Sequence, residues 1–137
     1  MVARQISVFM ENKKGRLASV TKLLGDHGID MAAACIADTA DFGILRCMVN
    51  KTDEALKLLQ SEGYMANVTE VLAVEVPDQP GGLERVLTVL DENGVSVEYM
   101  YSFVRSKGDC ALILFRVEET ARAADVLTKN GIKLRSE

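Results

Sequence analysis

Asp78-Gln79-Pro80-Gly81-Gly82-Leu83 answers Asn12-Lys13-Lys14-Gly15-Arg16-Leu17 across the middle of the chain, Gly81 following Gly15 by 66 residues. Each stretch closes an alternating apolar run and opens one with helical spacing. The echo continues in step, since Leu17, Val20, Leu23, Leu24 and Gly28-Ile29 correspond to Leu83, Val86, Val89, Leu90 and Gly94-Val95. Further on the offset becomes 68: Gly43-Ile44-Leu45 through Val49 matches Ala111-Leu112-Ile113 through Val117, and Leu58-Leu59 with Gly63 matches Val126-Leu127 with Gly131. The natural place for the two added residues is the turn Ser106-Lys107-Gly108-Asp109, because loops absorb insertions. Self-similarity on this scale means one supersecondary unit used twice.

Each copy reads as strand, helix, strand, strand, helix, strand. Residues 5–10 alternate, with Ile6, Val8 and Met10 on one face, while Leu17, Val20, Leu24 and His27 recur as a helical stripe. Residues 29–37 and 42–49 form a hairpin, residues 53–62 a second helix closed by Gly63, and residues 67–72 a last strand. The second copy uses residues 73–76, 83–93, 95–105, 110–117, 120–130 and 132–134 for the same elements. Residues 68–76 contain neither glycine nor proline, so the copies, residues 1–72 and 73–137, join almost without a linker. This order is that of a split βαβ, ferredoxin-like unit: an α+β fold with two helices on one face of a four-stranded antiparallel sheet. Half of a 137-residue chain is marginal as an independent fold, which favours the copies pairing side by side. Edge-to-edge pairing also removes exposed strand edges.

Composition narrows the function. With 48% apolar and 26% charged residues the chain can bury a core. A net charge of −4 leaves no surplus for gripping a phosphate backbone, so nucleic acid is disfavoured as a partner. No apolar run approaches membrane-spanning length, and the first fifteen residues lack the apolar region of a secretory leader. Cys35, Cys47 and Cys110 are an odd number in apolar surroundings without Cys-x-x-Cys spacing, which reads as buried thiols in a reducing, cytoplasmic compartment. His27, the single histidine, directly precedes Gly28, where a histidine binds the last carbonyls of a helix. With no second histidine and no partnered nucleophile, neither a catalytic residue nor a zinc site is assigned, and the expectation is a non-enzyme without metal or organic cofactor.

The strand, the acidic or amide residue, the Pro-Gly or Gly, the Leu, the amphipathic helix and the Gly-Val or Gly-Ile after it resemble the ACT domain, a regulatory amino-acid-binding module. The resemblance covers both copies and leaves no separate catalytic domain. Repeat two carries the motif nearly complete, as Asp78-Gln79-Pro80-Gly81-Gly82-Leu83 followed by Gly94-Val95-Ser96-Val97. In repeat one Lys14 stands where the family has proline, and Asp30 stands where it often has asparagine.

The chemistry of the loop agrees with a small anionic or zwitterionic ligand. A strand turning abruptly into a helix leaves N–H groups unsatisfied at the helix start, and these with the helix dipole favour a carboxylate. Gly15, Gly81 and Gly82 carry no side chain to obstruct approach, and Asn12 or Asp78 can accept from an ammonium group. Alternatively, Asn12 and Asp78 cap the helices and the glycines only permit the turn.

The resemblance further implies that an effector sits between one module's glycine loop and the strand after the other module's first helix. Pairing within the chain would then set Asn12 facing Ser96 and Asp78 facing Asp30. The candidate ligand residues are accordingly Asn12, Lys14, Gly15, Arg16, Leu17 and Asp30, with Asp78, Gln79, Pro80, Gly81, Gly82, Leu83 and Ser96. Two carboxylates at one site against neutral groups with nearby Lys13, Lys14 and Arg16 at the other predict unequal affinities.

The expected function is a stand-alone regulatory sensor of a free amino acid, acting on an enzyme partner or as a homodimer. Competing readings are a structural assembly module, an RNA-recognition module and an acylphosphatase-like enzyme. The RNA reading is weakened because Ala111-Leu112-Ile113-Leu114-Phe115 and Phe42-Gly43-Ile44-Leu45-Arg46 are largely aliphatic where bases would stack. Tyr99, Tyr101 and Phe103 alternate along a strand and read as a packed face or an oligomer contact.

Overall fold

The computed structural model describes residues 2–11, 13–38, 41–103 and 108–135. Among these, the chain runs β1 (Ala3–Glu11), α1 (Arg16–Asp26), β2 (Met31–Asp38), β3 (Phe42–Val49), α2 (Thr52–Ser61) and β4 (Met65–Pro77). It continues as α3 (Gly82–Glu92), β5 (Val97–Ser102), β6 (Cys110–Val117), α4 (Thr120–Lys129) and β7 (Leu134–Arg135). Two compact units result: Arg4–Thr69, and Glu70–Glu137 together with the first three residues. Strand β4 contributes its residues up to Thr69 to one and the remainder to the other.

In the unit Arg4–Thr69 the strand order is β2-β3-β1-β4. β3 pairs antiparallel with both neighbours, Leu45 lying opposite Val8 of β1 and Ile36 of β2. Cross-strand partners share a face. Ile6, Val8, Leu45 and Cys47 therefore point together, and they meet Val20 and Leu24 of α1 and Ala55 and Leu59 of α2 in one core. The unit Glu70–Glu137 repeats the plan as β7-β4-β6-β5. Its core joins Leu72, Val74, Phe115 and Val117 to Val86 and Leu90 of α3 and to Ala123 and Leu127 of α4. Fully burying a side chain of this size contributes about 1.5–3 kcal/mol.

All four helices end with the same bonding. The amides of Ile29, Tyr64, Val95 and Ile132, each just past a glycine, donate back to the carbonyls of Leu24, Leu59, Leu90 and Leu127. Glycine permits the left-handed turn that this closure needs, and the apolar residue after it packs on the helix it has just left. The closure explains where sequence spacing misplaces strand starts. Ile29, Val95 and Ile132 belong to helix ends, so the strands begin at Met31, Val97 and Leu134. Residues 104 and 105, expected in β5, lie outside the described residues, as do Ser106 and Lys107 of the expected insertion.

The helical stripe is narrower than its spacing implies. Val20 and Leu24 are buried, but Leu17 is 41% exposed in the first turn. His27 leaves the core face because its ring is used at the helix end, where Nδ1 lies 2.9 Å from the Leu23 carbonyl oxygen. The three thiols are free; Cys47 is buried, Cys35 and Cys110 half-buried.

A bulge decides which way the aromatic residues of β5 face. Val97 pairs with Val117 on the core side, and the register then shifts so that Tyr99 opposes Arg116 and Tyr101 opposes Leu114. The tyrosines thus leave the helix side of the sheet, half-buried, with ring centroids 6.4 Å apart and planes 26° apart.

Candidate functional site

The duplicated loop has the same backbone bonding twice. After β1, the amide of Lys13 donates to Glu11 O, Arg16 to Lys13 O and Ser19 to Gly15 O. After β4, Gln79 donates to Pro77 O, Gly82 to Gln79 O and Arg85 to Gly81 O. Gly15 and Gly81 precede their helices with φ of 87° and 82°, a left-handed conformation that a Cβ disfavours. Space is not what they supply, since a Cβ at either meets nothing within 4 Å. At Gly82 the opposite holds: a Cβ there would lie 2.1 Å from the Pro77 carbonyl oxygen, so the helix starts against the end of its own strand.

No side chain caps α1 or α3 among the described residues. The amides of Leu83 and Glu84, like those of Leu17 and Ala18, find no acceptor there and point out of the helix starts. The Asp78 side chain makes no cap hydrogen bond to α3, while its backbone amide donates to Asp109 O at 2.7 Å. Asn12 lies outside the described residues.

Charge separates the two loops. In repeat one Lys13 Nζ lies 2.8 Å and Arg16 Nη2 3.8 Å from Glu11 Oε2. The Lys13 hydrogen bond and charge, with a smaller contribution from Arg16, hold the Glu11 carboxyl below its ordinary pKa. In repeat two these three positions are Pro77, Gln79 and Gly82, so the corresponding cluster is absent.

Asp30 and Ser96 precede β2 and β5, at the far ends of α1 and α3. Each helix has 11 residues, so about 16 Å separates its two ends, and within a unit neither residue reaches the glycine loop. The Asp30 amide donates to Asn50 Oδ1, and Asn50 N–H donates to the Asp30 carbonyl.

Each unit also has a cleft beside its loop, against the turn that follows its second helix. In the unit Arg4–Thr69 it encloses about 240 Å³ between Met10, Glu11 and Arg16 on one side and Glu62, Gly63 and Tyr64 on the other. In the unit Glu70–Glu137 it encloses about 310 Å³ between Gln79, Gly81, Gly82 and Arg85 and the turn Gly131, Ile132, Lys133, with Glu75 and Cys110 at its side. Gln79, Gly81 and Gly82 are brought together here as their sequence spacing implies; Asp78, Pro80 and Leu83 are not cleft walls. Arg85 and Lys133 escape sequence reading because they lie 48 residues apart. The one available signal is topological, the turn after the second helix falling at the same end of the unit as the glycine loop.

Among the described residues no three His, Cys, Asp or Glu side chains gather at metal-binding range, and no helix is long and apolar enough to cross a membrane.

A family model described as an ACT domain pair matches residues 1–137. Protein BT0572 from Bacteroides thetaiotaomicron is 40% identical over 98% of this chain and 92% of its own, with a TM-score of 0.92. The regulatory subunit of aspartate kinase from Thermus thermophilus, in its ligand-free form, is 17% identical over 94% of this chain and 96% of its own, with a TM-score of 0.65. The corresponding subunit from Thermus flavus is 15% identical over 93% and 92%, with a TM-score of 0.64. These two share the fold. No curated protein matches the sequence.

Proposed function

The chain belongs to the family of ACT domain pairs, and on that footing we propose that it is a regulatory sensor of a free amino acid, not an enzyme. The observation that carries this reading is the duplicated helix start: a left-handed glycine, outward amides and, among the described residues, no side-chain cap, formed twice with the same bonds. Such a start attracts a carboxylate through its amides and dipole. Asp78, with no side-chain partner among the described residues, is available to an ammonium group beside it. The proposed ligand set is Asn12, Lys14, Gly15, Arg16 and Leu17 in one repeat and Asp78, Gln79, Pro80, Gly81, Gly82 and Leu83 in the other. Asp30 and Ser96 contribute from the far helix ends to the loop of another ACT module.

The ligand favours the arrangement of modules that puts both sets of contacts in reach, and so shifts an existing equilibrium by its differential affinity. An enzyme partner or a second copy in the cytoplasm reads that shift. The test is a thermal-shift screen against the twenty amino acids, since a ligand held only by the folded state raises stability by mass action. One selective hit, weakened by Asp78→Ala or Asn12→Ala, is expected. A flat panel at millimolar ligand transfers the assignment to an assembly module without ligand.

A further inference from the structure

The two clefts match in position and differ in chemistry. Through the repeat offsets, Phe9 takes the place of Glu75, Arg16 of Gly82, Ser19 of Arg85 and Met65 of Lys133. Repeat one therefore lines its cleft with an arginine 3.8 Å from Glu11 and with Phe9, Tyr64 and Met65. Repeat two has a glycine where that arginine enters, and adds two cations.

Among the described residues neither cation has an ion-pair partner. Arg85 Nη2 donates to the Asn130 carbonyl at 2.9 Å, which holds the guanidinium at the end of α4 without cancelling its charge. Lys133 has no ion-pair partner among the described residues. The acid at the cleft, Glu75, is taken by Arg135, whose Nε and Nη2 both lie 2.7 Å from Oε1. The cleft thus presents two positive charges across a floor that includes Val86 and Ile132, in about 310 Å³. That volume lies at the small end of ligand clefts, roughly 300–1,000 Å³.

We propose that this cleft binds a small dicarboxylate, an acidic amino acid or an organic diacid of similar length, with one carboxylate on Arg85 and the other on Lys133. Val86 and Ile132 accommodate the methylenes between them. The proposal rests on the sensing role above and narrows it to a ligand class and to one repeat.

Isothermal titration of the full chain with aspartate, glutamate and succinate tests it, with alanine and propionate as single-carboxylate controls. Dicarboxylates should bind at least about tenfold more tightly than the controls, and Lys133→Glu or Arg85→Gln should weaken them about tenfold, as expected for loss of a charge-assisted contact. Lys133→Arg should retain binding. Ligand should also slow alkylation of Cys110, which lines the cleft, and leave Cys35 in the other unit unchanged. Succinate binding as well as aspartate marks a general diacid site; aspartate or glutamate alone marks an amino-acid site. Dicarboxylate binding indifferent to both charge variants overturns the assignment. A neutral amino acid that binds while every dicarboxylate fails overturns it and leaves the sensing role standing. Silence with all amino acids and diacids removes both.

Discussion

Gly82 begins α3 so close to the end of β4 that a Cβ built on it would stand 2.1 Å from the Pro77 carbonyl oxygen. The neighbour is backbone, which cannot turn aside as a flexible side chain would. Gly82→Ala must therefore displace the helix start or the strand end, and it should cost about 1–3 kcal/mol, the range for overpacking. Gly81→Ala should cost about 1–2 kcal/mol for a different reason, its left-handed φ of 82° in open space. Urea unfolding measures both.

Asp78→Ala should leave stability within about 0.5 kcal/mol of the parent, because the side chain makes no cap hydrogen bond to α3. A working cap would cost about 1 kcal/mol on removal. A full capping loss in denaturant unfolding would restore the purely structural account of this loop.

Leu24 and Leu90 occupy the same place in the two repeats, each 1% exposed, and Leu→Ala at either should cost about 2–5 kcal/mol. Leu17, 41% exposed in the same apparent stripe, should lose no more than about 0.5 kcal/mol on the same change. Thermal unfolding of the three variants under one set of conditions checks the ranking.

Burial pushes the Cys47 thiol from 9.0 up to about 12. At pH 8 its thiolate population should be roughly a thousandfold lower in the folded chain than in the unfolded one, so alkylation should spare Cys47 until urea is added. The sign of the pH effect follows. The unfolded chain loses this proton near 9.0 and the folded chain only near 12, so the contribution is complete below 9.0 and is lost as pH rises towards 12. Stability measured against pH above 9 should decline less steeply in Cys47→Ala, whatever the cavity costs overall.

Local patterns were enough to determine the duplication, the element order and the placement of the glycine loops. Helix and strand periods and the Gly-apolar helix ends are encoded within a few neighbouring residues, and recur at fixed offsets that no tertiary contact is needed to see. Tertiary structure decided which members of each pattern are used. Leu17 and His27 share the period of Val20 and Leu24, yet only the middle turns of α1 lie over the strands. The turn of Tyr99 and Tyr101 away from the core depends on a one-residue shift against β6, which β5 cannot express alone. Whether Asp78 caps a helix depended on where the chain places Gly81. The cleft unites Gly82 and Arg85 with Lys133 from the far end of the repeat, because the turn after the second helix folds back to the loop after the first strand. Charges so distant along the chain become neighbours only when the sheet order is set, and that order is a property of the packed core.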